Sequence, residues 1–257
     1  MAAETKISIL DISFFSECLQ AISKAIPSCK LTITKDGCEC YFMKDNIARC
    51  SFTSNLVKTD EKTISICMDD INKLINLLGV TKKYEDLNSI ELRYATNTLY
   101  FDGNRSNFRL ASIKEETISQ FIDSPIKAEI NTICRVSCPY DSLKDALYNK
   151  NLLTNSDAVK YLFKEFDKKP KMIFTDIIDT TNPNSNFVTL HIGNIESGTL
   201  PDTKLIIDHA RLFLSYILKV DNVIIEFTDK NVIIFKIDRS EKEKTANFKI
   251  FTSLLKA

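Results

Sequence analysis

Histidine is almost missing from this chain: there are two in 257 residues, His191 and His209. His191 falls in an alternating, strand-like run and His209 at a helix start, and neither has a nucleophile partner at a recognisable spacing. No G-x-x-x-x-G-K-[ST] or G-x-G-x-x-G stretch is present to cradle a phosphate. There is also no G-x-S-x-G elbow and no H-E-x-x-H helix. Catalysis needs converging groups of this kind, so the chain is read as a non-enzyme without a cofactor. Five Gly and six Pro exclude a collagenous or low-complexity chain. No apolar run reaches the roughly 18 residues that span a bilayer. The opening MAAETKISIL lacks the apolar core and small-residue cleavage site of a secretory signal. The expectation is a soluble, intracellular protein with no membrane partner. Excess charge is absent too, since Lys+Arg and Asp+Glu both number 34. A protein that gripped DNA through phosphate contacts alone would be strongly basic. Charge by itself therefore does not hold this chain to nucleic acid.

Eight cysteines are present, and the only close pairs are Cys38-x-Cys40 and Cys134-x3-Cys138. Neither has zinc-knuckle spacing, so no metal site is expected. Cys18, Cys29, Cys67 and Cys134 fall on apolar faces and read as reduced thiols acting as small hydrophobes. The acid pairs Asp69-Asp70, Glu85-Asp86 and Glu115-Glu116 read as helix-dipole or solubility features.

The chain repeats itself. TISICMDDINKLINLLGV (63–80) and TKLIIDHARLFLSYILKV (203–220) each begin as a short apolar strand. Each then reaches an Asp, Asp69 or Asp208, placed to cap a helix. A helical run follows, with Ile71, Leu74, Ile75 and Leu78 in the first and Ala210, Phe213, Leu214 and Ile217 in the second. Both continue into hairpins, 89–103 around Thr96-Asn97 and 222–238 around Asp229-Lys230-Asn231, and then one more strand. The early parts agree more loosely. Residues 6–26 and 132–149 each read as a strand and a helix, the second with Pro139 near its helix start. Three strand-like stretches follow in each half, with Asp36-Gly37 as a first turn. Each half therefore reads β-α-βββ-β-α-βββ. Between them 117–130 has no clear period and a central Pro. The expected organisation is an α+β chain with domains at 1–116 and 131–257 and a connector at 117–130.

Two helices and about eight short strands per half layer as helices on one face of curved antiparallel sheet. Such sheets end in edges that invite pairing. Candidate edges are 107–115 and 187–193. If one edge pairs with the other edge of a second copy, the contact is head-to-tail, and closure gives a ring. The helices carry polar stripes: Ser13, Glu17, Gln20 and Lys24; Asp69, Asn72, Lys73 and Asn76; Asp141, Lys144, Tyr148 and Asn151; Asp208, Arg211, Ser215 and Lys219. These are either ordinary solvated faces or the lining of a hole that faces phosphate.

The repeat, the connector and the length resemble the proliferating cell nuclear antigen type of sliding clamp, a group that includes T-even phage and archaeal clamps. The segments DDINKLINLL and HARLFLSYILK carry most of that resemblance. Lys73 falls where the family has a pore lysine, and Arg211 where it has a pore arginine. The resemblance implies three two-domain protomers in a ring around duplex DNA, with helices lining the pore. It implies a processivity factor that tethers a DNA polymerase and other clients, with or without a clamp loader. The implied pore cations are Lys24, Lys73, Lys144, Lys150, Arg211 and Lys219, meeting phosphate without reading bases. The connector resembles the family's interdomain loop, and the stretch Gly37…Met43…Ile47 the segment leading into its partner pocket. By register, Met43, Ile47, Phe121, Ile126, Phe251 and Ser253 would take a client's hydrophobic peptide; plain burial is the competing reading of each. Acids at Glu17, Asp70, Asp141 and Asp145 make the stripes less basic than the family's, which points to a divergent, viral or phage-like member. A clamp-fold subunit of a checkpoint-type heteromeric ring or a viral transcription factor is the second reading. An unrelated α+β enzyme or binding module with an accidental repeat is the third.

Overall fold

The computed structural model describes residues 4–44, 48–60, 62–118, 129–149, 158–166, 169–175, 189–206, 220–253 and 255–256. The chain divides into two compact units. The first holds Met1–Lys44, Cys50–Pro125 and Asp238–Phe248, and the second Asp45–Arg49, Ile126–Ile237 and Lys249–Ala257.

In the first half the order is β1 (Thr5–Ile9), α1 (Ile12–Ala25), β2 (Cys29–Ile33), β3 (Cys38–Lys44), β4 (Ala48–Ser54), β5 (Val57–Thr59), β6 (Ile64–Met68), α2 (Ile71–Glu85), β7 (Ile90–Ala95), β8 (Thr98–Asp102) and β9 (Asn107–Ala111). Strands run β5-β1-β7-β8-β9 in one sheet, and β4-β3-β2-β6 lie side by side in the other. The short β5 has no counterpart in the sequence reading; it pairs antiparallel with β1. Period-two alternation sets the strand faces. In β2, Cys29, Leu31 and Ile33 are buried while Lys30 and Thr32 are not. Gly37 sits in the β2–β3 turn, where a Cβ would stand 2.1 Å from the Ser54 carbonyl oxygen. Thr96 and Asn97 both adopt positive φ, 51° and 55°, as the expected tight hairpin turn between β7 and β8 requires.

Helix α1 buries Ile12, Phe15, Leu19 and Ile22 at helical spacing. Its N-terminus is capped by Asp11, whose Oδ1 accepts the Phe14 N–H at 3.0 Å and whose Oδ2 accepts Lys244 Nζ at 2.8 Å. Burial works to raise the Asp11 pKa, but Lys244 and the backbone N–H groups of Phe14 and Ser13 prevail and hold the carboxyl below its usual value. A carboxyl held low in the folded state stabilises above its unfolded pKa, and that contribution is lost as pH falls through the folded value. Asp11→Ala is expected to cost about 1 kcal/mol at neutral pH. The difference from wild type should close as pH drops below about 4, measured by urea unfolding across the acid range.

Helix α2 departs from expectation at both ends. Its cap is Asp70, whose Oδ1 accepts the Asn72 N–H at 2.9 Å. Asp69, the expected cap, turns to Lys73 instead, with Oδ2 2.6 Å from Nζ. The helix also runs to Glu85, well past the apolar run that ends at Leu78 and Gly79. Thr81 is buried, Lys82 bonds the Ser13 hydroxyl of α1, and the left-handed Asp86, φ 55°, closes the end.

The second half runs β10 (Thr132–Pro139), α3 (Tyr140–Asn149), β11 (Ala158–Phe166), β12 (Lys169–Thr175), β13 (Thr189–Gly198), β14 (Thr203–Ile206), β15 (Asn222–Thr228), β16 (Val232–Glu241), β17 (Lys244–Ser253) and β18 (Leu255–Lys256). Strands β18-β14-β11-β12-β13-β10-β15-β16 lie in that order. Pro139 ends β10 where α3 begins, and α3 stops at Asn149. The expected second-half helix at 208–219 lies outside the described residues. The core of this unit is built on Val136, Leu143, Leu147, Ile225, Phe227 and Phe235. At the β15–β16 turn Asn231 takes φ 54°, and Thr228 Oγ1 both accepts the Val232 N–H at 3.2 Å and donates to its carbonyl at 2.7 Å. Two sequence-distant stretches come together in the first unit: residues 238–248, from β16 and β17, join it, and the Phe248 ring packs at a tilt against Phe52 with centroids 4.8 Å apart.

Candidate nucleic-acid interface and assembly edges

Helices α1 and α2 pack against each other. Their outward residues are Glu17, Gln20 and Lys24 on α1 and Asn72, Lys73, Asn76, Val80, Lys83 and Tyr84 on α2. Lys24 and Lys73, two of the expected pore cations, therefore stand on one helical pair. Lys83 joins them in the last turn of α2. Sequence reasoning missed it because the apolar period stops at Leu78 and nothing in it marks the last turns of α2. Lys144 is exposed on α3 of the second unit. Lys150, Arg211 and Lys219 lie outside the described residues.

Two of the acids that made these stripes look unsuited to DNA, Glu17 and Asp70, have intramolecular partners. Arg239 pairs with Glu17 and Glu241, and its guanidinium lies 4.3 Å from the Phe14 ring centroid. Asp70 is occupied by the α2 cap. Asp69 holds Lys73, a bond that lowers the Asp69 pKa and raises that of Lys73. This last pair is half exposed on both sides, so it is weak and water-screened, and phosphate can compete for Lys73. Arg239 is separated from Glu17 by 222 residues, and nothing in the sequence joins them. Asp141 and Asp145 remain exposed on α3.

The expected edges are met in part: of 107–115 the strand takes 107–111, since the Ile113 N–H bonds the Cys67 carbonyl of β6 at 2.9 Å. β9 ends its sheet and pairs with β8 through Asp102↔Asn107 to Thr98↔Ala111. In β13, residues 189–193 pair with β12, whereas the pairing with β10 begins at Asn194. At 189–192 β12 is thus the strand neighbour among the described residues, whereas Gly193 already lies against β10, where a Cβ would stand 2.9 Å from the Ser137 carbonyl oxygen; 187 and 188 of the expected edge lie outside the described residues. On β9, Phe108 and Leu110 are buried while Asn107, Arg109 and Ala111 are exposed.

Of the expected peptide-binding residues, Met43 is half-buried at the end of β3. Phe251 is half-buried and Ser253 exposed at the end of β17. Ile47, Phe121 and Ile126 lie outside the described residues. The eight cysteines are all reduced and buried. Burial pushes Cys18 and Cys50 up to about 12 and Cys134 up to about 11, so these thiols stay protonated at neutral pH. Among the described residues no group of three His, Cys, Asp or Glu side chains could hold a metal ion. No described helix is long and apolar enough to cross a membrane.

No family model and no curated protein matches this sequence. Solved structures do. The proliferating cellular nuclear antigen of Entamoeba histolytica superposes with a TM-score of 0.69 at 13% identity, covering 99% of each chain. That of Thermococcus kodakaraensis gives 0.68 at 15% identity, covering 97% of this chain and 99% of its own. The fold is that of the proliferating cell nuclear antigen (PCNA). In both cases the superposition extends over nearly the full length of this chain. At such identity the agreement lives in pattern and packing.

Proposed function

We propose that the chain is the protomer of a DNA sliding clamp, in which three copies close head to tail around duplex DNA and tether a polymerase and other replication proteins. The observation that carries this reading is the pair of sheet edges that β9 and the start of β13 form among the described residues, on a chain with the PCNA fold. Pairing β9 of one copy with β13 of the next removes both edges, and repetition closes a ring. Such a ring acts by topology and needs no chemistry of its own. This fits a chain with zero net charge, because loose cation contacts let the ring slide where tight ones would stall it.

In this reading 1–116 and 131–257 are the two clamp domains, and 117–130 is the connector beside which clients dock. Lys24, Lys73, Lys144, Lys150, Arg211 and Lys219, with Lys83 added, face the phosphates. Met43, Ile47, Phe121, Ile126, Phe251 and Ser253 receive the client's hydrophobic peptide. The working location is on DNA.

The test is native mass by sedimentation equilibrium at several protein and salt concentrations. A mass three times 29.3 kDa is expected. A single-chain mass at every concentration, with and without circular DNA, would sink the homotrimer and leave a ring completed by a different chain as the reading to pursue.

A further inference from the structure

We propose that Glu85 is the positioning residue of the free edge, holding β9 where a second copy of the chain can pair with it. The proposal rests on the ring reading above, because it concerns how that ring's seam is prepared. Glu85 stands in the last turn of α2. Its carboxylate gathers the loop between β8 and β9: Oε2 accepts the Asn104 N–H at 3.2 Å, and Oε1 accepts the Arg105 N–H at 2.7 Å, the Ser106 N–H at 2.5 Å and the Ser106 hydroxyl at 3.0 Å. Three successive amides converging on one anion make a nest of the kind that binds free anions elsewhere. Here the anion is a side chain delivered by a helix.

Two further features fit the loop to this carboxylate. Gly103 lies so close to it that a Cβ would stand 2.5 Å from Glu85 Oε1 and 2.7 Å from the Phe101 ring. The loop closes on itself through the Gly103 N–H and the Ser106 carbonyl at 2.9 Å, leaving the other amides to face Glu85. Desolvation works to raise the Glu85 pKa, but the loop's bonds outweigh it and keep the carboxyl below its usual value, so it is ionised at neutral pH.

The mechanical consequence follows from topology. An edge strand has one paired neighbour, so its placement depends on the turn that delivers it. β9 is held by β8 on one side, just past its C-terminal end by the Ile113 N–H on the Cys67 carbonyl of β6 at 2.9 Å, and at its N-terminal end by the turn. Glu85 ties that turn to α2, whose last turns are tied to α1 through Lys82 and Ser13. The edge is thereby referenced to the same helical pair that carries Lys24 and Lys73. A ladder between copies needs β9 held in register before it meets its partner, and Glu85 supplies that order at the strand's N-terminal end in the free chain.

The test compares wild type, Glu85→Ala and Glu85→Gln by sedimentation and by amide hydrogen exchange. Glu85→Ala is expected to weaken self-association about tenfold. It should also speed exchange at residues 104–111 while β1 and β7 keep theirs. Glu85→Gln, which keeps one acceptor oxygen without the charge, should fall between the two. If wild type assembles and Glu85→Ala assembles equally well, the positioning role is overturned and the ring reading stands. If assembly weakens without faster exchange at 104–111, or with faster exchange throughout the first unit, Glu85 acts otherwise than through the edge and the proposal is also overturned. If wild type is a single chain under every condition, the ring reading itself falls, and the assembly role falls with it.

Discussion

Leu190→Pro is expected to convert a species of three times 29.3 kDa into single chains. Leu190 lies in the part of β13 that pairs with β12, opposite Phe174. Along a strand, successive N–H groups alternate between the two sides. If the Leu190 N–H points at β12, proline removes a bond that holds the edge in place. If it points away, proline removes a donor that the next copy's β9 would use. Either way the ring locks φ and takes a ladder bond from a short pairing region. Leu190 is only half-buried, so the unit's own core, built on residues such as Val136 and Phe227, is not opened. The check is sedimentation together with far-ultraviolet circular dichroism. An unchanged spectrum with a single-chain mass is the expected result, and a persistent three-chain mass would remove β13 from the interface. Leu190→Ala, which keeps the N–H, should assemble as wild type does.

Reversing Lys24 and Lys73 together to Glu is expected to shorten processive synthesis on a primed template by about tenfold. In the free chain Lys73 is bonded to Asp69, half exposed on both sides. A pair exposed to this extent is screened by water and salt, so exchanging it for a phosphate costs little. With Glu in its place, position 73 would add a third acid to Asp69 and Asp70 in one turn, directly where the duplex would pass. Lys24 sits on the neighbouring helix with its side chain in solvent. Losing two phosphate contacts should also flatten the dependence of DNA retention on salt, by roughly 0.9 per contact in the log–log slope. Native mass and unfolding midpoint should stay at wild-type values, because neither side chain is in the core. Unchanged processivity and salt slope would mean that α1 and α2 do not face DNA.

What the sequence determined by itself was whatever depends on neighbours along the chain. Alternating burial in β2 and β9, the α1 stripe and the Thr96-Asn97 turn are set by side-chain period and by local φ preference. The repeat of these elements, recognisable in 63–80 and 203–220, was enough to suggest the PCNA architecture that the superpositions show. Helix ends were less legible. Asp69 and Asp70 are adjacent and chemically equal as caps, and which one caps is decided by where β6 stops and where Lys73 draws the other carboxylate. Past Gly79 the apolar period fades, and α2 continues because Thr81 finds a buried site, Lys82 finds Ser13, and Glu85 finds the 103–106 loop. Those partners lie far from the helix in sequence. The same holds for the charge of the candidate DNA face. Glu17 looked like an acid in the wrong place until Arg239, 222 residues away, was brought onto it and onto the ring of Phe14. Local pattern records the period of an element and the residue that starts it. Only the tertiary structure decides which charges meet and which strand edges stay open, because both depend on segments that become neighbours only when the chain is folded.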